Sequence, residues 1–249
     1  MYYTDSHIHL QDYSLAEAAH VIKNAQRNNV HQFVVPSSKP DDWDDVIKTT
    51  KRFKNTIGAV GIHPWYAENI DSSALQCLEE CLQTHPSLWI GECGIDRIKN
   101  PDTQNQKDVF RSQIELANKY KRPLIIHSVK ADAEIGEFFD LLPKQTIFHS
   151  FTGSLEWGQK IQKAGFYIVI NFSFFNKSNA NEMLQKLDVG KILLETDAPY
   201  QPLKGYVSNT PDNLPVLAAA MAAIYRCSET EIVSLLYNNM KNFMNYKEE

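Results

Sequence analysis

Eight short runs rich in β-branched and aromatic residues recur along this chain, and seven intervals between them carry helical periodicity. The runs are Tyr3–His9, Gln32–Pro36, Ile57–His63, Leu88–Glu92, Leu124–His127, Thr146–His149, Phe166–Asn171 and Lys191–Asp197. The helical segments are Ser14–Asn28, Asp41–Phe53, Ser72–Thr84, Thr103–Tyr120, Ala133–Leu142, Ser154–Ala164 and Asn179–Leu187, with two more, Pro211–Tyr225 and Ser228–Tyr246, after the last run. Ser14-Leu-Ala-Glu17 and Ser228-Glu-Thr-Glu231 read as capping boxes, in which each N-terminal Ser and the Glu three residues on satisfy each other's backbone amides. Strict alternation of strand and helix implies a parallel sheet, because a parallel neighbour is reached only through a crossover. A count of eight predicts an α/β protein of the (β/α)8 TIM-barrel class, one domain over residues 1–249. A dinucleotide-binding open sheet is disfavoured, since the first strand-to-helix turn, Leu10-Gln-Asp-Tyr-Ser14, has no glycine-rich fingerprint.

Composition narrows the function. The 249 residues carry 25 Lys+Arg against 30 Asp+Glu, a formal net charge of −5, which argues against a dedicated electrostatic binder of long duplex nucleic acid. Neither a signal-peptide pattern nor a long apolar run is present, so we expect a cytoplasmic protein with no membrane association. The four cysteines, Cys77, Cys81, Cys93 and Cys227, form no C-x-x-C pair and read as reduced, with Cys77 and Cys81 at helical spacing as packing residues. His20, His31 and His85 read as surface or packing residues as well.

The other five histidines, His7, His9, His63, His127 and His149, stand in or at the end of the apolar runs, as do Glu92 and Asp197. In a (β/α)8 fold the carboxyl ends of the strands form one face, and active sites lie there. His7 and His9, two apart on a strand, point to the same side. Neutral imidazoles and carboxylates gathered in an apolar setting suit divalent cations, with Zn2+, Mn2+ and Mg2+ all compatible. Asp5, in phase with the pair, either orients an imidazole or caps local backbone.

The segments Asp5-Ser-His-Ile-His9, Gly61-Ile-His-Pro64, Gly91-Glu-Cys-Gly-Ile-Asp96, Ile126-His-Ser128, His149-Ser-Phe-Thr-Gly153 and Glu195-Thr-Asp-Ala-Pro-Tyr200 resemble, in order, those of the TatD family of metal-dependent deoxyribonucleases, within the amidohydrolase-like barrels. The resemblance implies two divalent cations, one held by His7, His9, Glu92 and Asp197, the other by Glu92, His127 and His149, with Glu92 shared. It implies hydrolysis of DNA phosphodiester bonds by metal-bound hydroxide, exonucleolytic from 3′ ends, with Asp197 and Glu92 as the catalytic carboxylates. A single-stranded or short DNA end suits the net negative charge, and no obligate protein partner is inferred.

His63, outside that ligand set, is expected to reach a phosphate oxygen. Amides of Thr152, Gly153 and Ser154 at a helix start could cradle an anion, and Trp65 or Tyr66 could stack on a base. Lys99 and Lys130 could meet phosphates. Two other functions compete: hydrolysis of an ester or amide, as in D-aminoacyl-tRNA deacylation, and a non-catalytic metal-binding interaction module.

Overall fold

The computed structural model describes residues 1–70, 72–202 and 207–246. The long irregular stretch expected at Ala198–Thr210 therefore falls partly, at residues 203–206, outside the described residues. One eight-stranded sheet runs in the order β1 to β8, and each registered pair is parallel. The strands are β1 Tyr3–Asp5, β2 Val30–Pro36, β3 Thr56–Val60, β4 Trp89–Asp96, β5 Leu124–Val129, β6 Thr146–Phe148, β7 Tyr167–Ile170 and β8 Ile192–Leu194. This sequential order, with helices between the strands, is the (β/α)8 class expected from the sequence. No helix among the described residues is long and apolar enough to cross a membrane. The chain divides into two compact units, residues 1–34 with 150–249, and residues 35–149.

In the first unit β1 pairs with β2 (Tyr3↔Val30, Asp5↔Phe33) and β7 with β8 (Ile168↔Ile192, Ile170↔Leu194). Beyond its last strand residue the β1 segment continues onto β8: Ser6 N donates to Leu194 O at 3.0 Å and Asp197 N to His7 O at 3.0 Å. The first and last strands are thus neighbours. Helix α1, Leu15–Arg27, opens with the Ser14–Glu17 capping box, and α9, Glu229–Met244, with the Ser228–Glu231 box, both as read from sequence. Helices α6 (Leu155–Lys163), α7 (Ala180–Lys186) and α8 (Leu214–Tyr225) complete this unit, and α8 and α9 pack on β1 and β8. Phe33, Phe174 and Phe243 are wholly buried here, each stabilising the unit by about 1.5–3 kcal/mol.

The second unit holds β3 to β6, with α2 (Trp43–Arg52), α3 (Ser72–Thr84), α4 (Gln104–Tyr120) and α5 (Asp132–Gly136). Its core includes Phe110, Phe138, Leu78, Leu82 and Ile90. Three sequence expectations are corrected. Strand β4 runs four residues past Glu92, so Glu92 lies mid-strand and does not end it. Runs one, three, six and eight stop as strands at Asp5, Val60, Phe148 and Leu194, leaving His7, His9, His63, His149 and Asp197 beyond strand ends. The helix expected over Ala133–Leu142 is the short α5 followed by a separate turn of 3-10 helix at Phe139–Leu141.

Candidate metal centre

In the first unit the donors are His7, His9 and Asp197. The His7 and His9 Nε2 atoms are 3.2 Å apart, and Asp197 Oδ1 lies 3.6 Å from His7 Nε2 and 3.3 Å from His9 Nε2. All three residues are buried. Asp197 adopts φ 58°, a left-handed conformation that Asp tolerates better than most side chains, and its Oδ2 accepts from Gln201 Nε2 at 2.6 Å. That bond orients the carboxylate while Oδ1 faces the imidazoles. Gln11 Nε2 lies 3.0 Å from His9 Nδ1, and the Tyr200 ring stands edge-on to the His9 ring at 5.3 Å.

Asp5 is not aimed at an imidazole. It accepts from the Thr196 amide at 2.9 Å and from the Thr196 hydroxyl, and more weakly from His7 N at 3.4 Å. It therefore clamps the end of β8 to the start of the His7 segment, the backbone-capping alternative. Full burial pushes its pKa up to about 7, against the opposing pull of the Thr196 hydrogen bonds.

In the second unit the centre is Glu92. Its Oε1 lies 2.7 Å from His127 Nδ1, 2.7 Å from His149 Nε2 and 3.6 Å from His63 Nε2, and the His127 Nδ1 and His149 Nε2 atoms are 3.3 Å apart. A carboxylate so deeply buried, at 3% exposure, is tolerable only with partners of this kind. The backbone explains how it fits. Gly91 and Gly94 flank the site with φ of 142° and 141°, and the β4–β5 register is irregular between Ile90 and Cys93. A Cβ on Gly94 would overlap the His127 carbonyl, so only glycine lets β4 approach the histidine-bearing strand this closely. Glu92 N donates to Ser37 O at 3.0 Å, which fixes the strand on its other side.

Asp96, two residues beyond Gly94, supports this cluster and was not singled out from the sequence. Its Oδ2 accepts from Trp65 Nε1 at 2.7 Å and lies 3.4 Å from His127 Nε2, while Oδ1 accepts from the Ile98 and Lys99 amides. Burial by itself would raise the Asp96 pKa, but hydrogen bonds to His127, Trp65 and the Lys99 amide win and hold it well below the usual carboxylate range. Burial likewise pulls the His127 pKa down, and its bonds to Asp96 and Glu92 outweigh that and raise it. The cue for Asp96 in the sequence was its place at the end of the Gly91-Glu-Cys-Gly-Ile-Asp96 segment, four residues after Glu92. Gln201 carried no cue at all.

The structure thus brings His7, His9 and Asp197 together in one unit, and Glu92, His127 and His149 in the other. His63 joins the second group: its ring centroid is 4.3 Å from that of His127, and it offers a ring nitrogen that lies, with donor atoms of Glu92 and His127, within a mutual 4.8 Å. Trp65 is 51% exposed, with Lys99 Nζ 5.3 Å from its ring centroid. Thr152 and Gly153 stand just before α6, but the Gly153 carbonyl accepts from Lys177 Nζ at 2.7 Å, and the helix is capped by the Ser154 side chain.

Both donor sets fit divalent cations by their chemistry. Each pairs imidazole nitrogens with a carboxylate oxygen at spacings that one ion could span, and His7, His9 and Asp197 likewise offer donor atoms within 4.8 Å of one another.

Comparison with known proteins places the chain in a family and supports its fold. The family model described as TatD related DNase matches residues 4–245. The metal-dependent hydrolase YjjV of Escherichia coli (strain K12) is 26% identical over 98% of both chains. A TATDN1 homologue of Encephalitozoon cuniculi, named as a candidate deoxyribonuclease, is 31% identical over 62% of this chain and 55% of its own. The crystal structure of YjjV, a TatD homologue, superposes with a TM-score of 0.91 at 25% identity, covering 98% of each chain.

Proposed function

The chain belongs to the TatD-related DNase family and is a metal-dependent hydrolase, and on that premise we propose that it trims DNA from single-stranded 3′ ends by phosphodiester hydrolysis. The observation that carries this reading is the pair of buried donor clusters, each built from imidazoles around one carboxylate. His7, His9 and Asp197 would hold one divalent cation, and Glu92, His127 and His149 another. When bound, such cations lower the pKa of water and neutralise charge on the reacting phosphate.

The chain's own residues supply positioning and proton handling. Asp197, its Oδ2 held by Gln201, takes up the proton lost by the attacking water. Asp96 fixes the His127 ring so that Nδ1 meets Glu92. His63 Nε2, beside Glu92 Oε1, is placed either to donate to a phosphate oxygen or to serve as a further ligand. The exposed Trp65 face, with Lys99 over it, offers stacking for a terminal base and charge for a neighbouring phosphate.

The test is a metal-supplemented digestion of a 5′-labelled single-stranded oligodeoxynucleotide, beside a chelated sample and Asp197→Asn. The expected result is a ladder shortening stepwise from the 3′ end, absent from both controls. Protein that retains its metal yet leaves the oligonucleotide intact would overturn the DNA reading.

A further inference from the structure

In the second unit two aromatic residues, Trp65 and Tyr66, follow one another in the 3-10 turn after β3, and each has a lysine from a different loop over its ring. Lys99 Nζ, from the segment after β4, stands 5.3 Å from the Trp65 ring centroid. Lys39 Nζ, from the segment after β2, stands 5.9 Å from that of Tyr66. Ring faces paired with ammonium groups are the parts of a surface that takes single-stranded nucleic acid, with bases on the rings and phosphates on the cations.

The indole is exposed yet fixed in place. Trp43, Trp89 and Trp157 are buried, whereas Trp65 lies half in solvent. Its Nε1 donates to Asp96 Oδ2 at 2.7 Å, and Oδ1 of the same carboxylate accepts from the Ile98 and Lys99 amides. One buried anion thus holds both the ring and the backbone that carries its lysine. A large flat side chain held rigid in this way is preorganised for a flat partner.

Both rings flank His63. Their centroids lie 5.1 Å (Trp65) and 6.5 Å (Tyr66) from that of the imidazole, and the Trp65 amide donates to His63 Nδ1 at 3.2 Å. His63 Nε2 in turn lies 3.6 Å from Glu92 Oε1. A strand with successive bases on the two rings therefore carries the phosphodiester between them past His63, at the edge of the Glu92 donors.

We propose that Trp65–Lys99 and Tyr66–Lys39 form a two-nucleotide subsite, with the 3′-terminal base on Trp65 and the penultimate base on Tyr66, which sets the terminal phosphodiester before the donor cluster. This assignment rests on the 3′-end DNA reading above. Each lysine, on its flexible four-carbon stem, moves from its ring to a neighbouring phosphate as the base arrives. Stacking reads planarity and not base identity, so sequence matters little and two unpaired nucleotides are required. A paired duplex end cannot lay its bases on separate rings.

The probe is a single-stranded oligodeoxynucleotide with phosphorothioate linkages, which resist hydrolysis, titrated into the metal-loaded full chain while Trp fluorescence is followed. Trp65 is the exposed indole, so a base stacked on it quenches the emission. An abasic residue at the 3′ terminus should abolish the quenching. At the penultimate position it should weaken binding about tenfold, and at the third position it should change neither. By anisotropy of a labelled strand, Trp65→Ala and Tyr66→Ala should each weaken binding about tenfold, with most of it restored in Trp65→Phe and Tyr66→Phe. Tyr66→Ala should also make binding indifferent to the penultimate base, a coupling that a merely structural role would not produce. Lys39→Gln and Lys99→Gln should each lower the slope of log affinity against log salt by about 0.7. Quenching that survives loss of the terminal base, or equal losses from the second and third bases, would overturn the subsite even if DNA is digested stepwise. A strand bound in the expected pattern but never cut, in its ordinary phosphodiester form, would uphold the subsite and overturn hydrolysis instead. Base removal is read on the wild-type chain, so these outcomes do not depend on any variant folding.

Discussion

The two donor clusters are built in different ways. In residues 35–149, Glu92 and His127 sit inside strands, and the ladder bonds of β4 and β5 hold their backbone on either side. In the unit of residues 1–34 with 150–249, His7, His9 and Asp197 all lie beyond strand ends, in irregular backbone. There a few backbone bonds past the strand ends, Asp197 N to His7 O and His9 N to Ala198 O, are joined by side chains: Asp5 grips Thr196, Asn209 Nδ2 donates to Thr196 O at 2.7 Å, and Gln201 holds Asp197. The strand-borne cluster, with Glu92 and His127 in the ladder and His149 one residue past β6 but bonded to Ile126 O, is preorganised mainly by backbone, and the loop-borne one by fewer backbone bonds together with these polar contacts. The second kind of support is easier to remove by a single substitution.

The largest effect belongs to the carboxylates themselves. Glu92→Gln keeps the shape but removes the charge between His63, His127 and His149. Metal catalysis contributes several kcal/mol of transition-state stabilisation, so turnover should fall about 10³-fold. Metal analysis of Glu92→Gln beside Asp197→Asn tests whether the clusters load separately: each variant should lose part of the bound metal and keep the rest. Complete loss of metal in either one would break the distinction drawn above.

A smaller effect separates the two kinds of support. Gln201→Ala should weaken metal binding about 100-fold, and Asp96→Asn only about tenfold, because the β-ladder still places His127. Competition with a fluorescent chelator measures both. The reverse order would mean that side-chain bonding governs the strand-borne cluster too.

The smallest change tests whether stability and chemistry come apart. Ser228→Ala removes one capping box, far in sequence from any donor, and should cost about 1 kcal/mol, a Tm lower by about 2–4 °C, with unchanged turnover. Altered turnover would show that α9 transmits strain to the loop-borne cluster.

Much of the fold could be read before any coordinate was known. The alternation of runs placed all eight strands, and the helix expected over Ser72–Thr84 is α3 with the same bounds. Both capping boxes are present because their logic is local: a hydroxyl and a carboxylate three residues apart satisfy amides in the same turn. The donor residues were legible for a similar reason, since imidazoles and carboxylates at the ends of apolar runs are conspicuous wherever the chain goes. Strand ends were less so. The sequence reading ended the fourth run at Glu92, whereas in the fold Gly91 and Gly94 let β4 continue against β5 to Asp96.

By itself, then, the sequence determined the order and type of the elements and the chemistry of the donors, because periodicity, capping and ligand type are properties of neighbouring residues. Only the tertiary structure decided which donors share an atom's reach. Asp197 meets His7 and His9 across about 190 positions of chain, His63 meets Glu92, and Gln201 and Asp96 become supports, through contacts no local pattern encodes. It also brought Lys39 and Lys99 from separate loops over Tyr66 and Trp65, since loops that share a strand-end face become neighbours only once the sheet has formed.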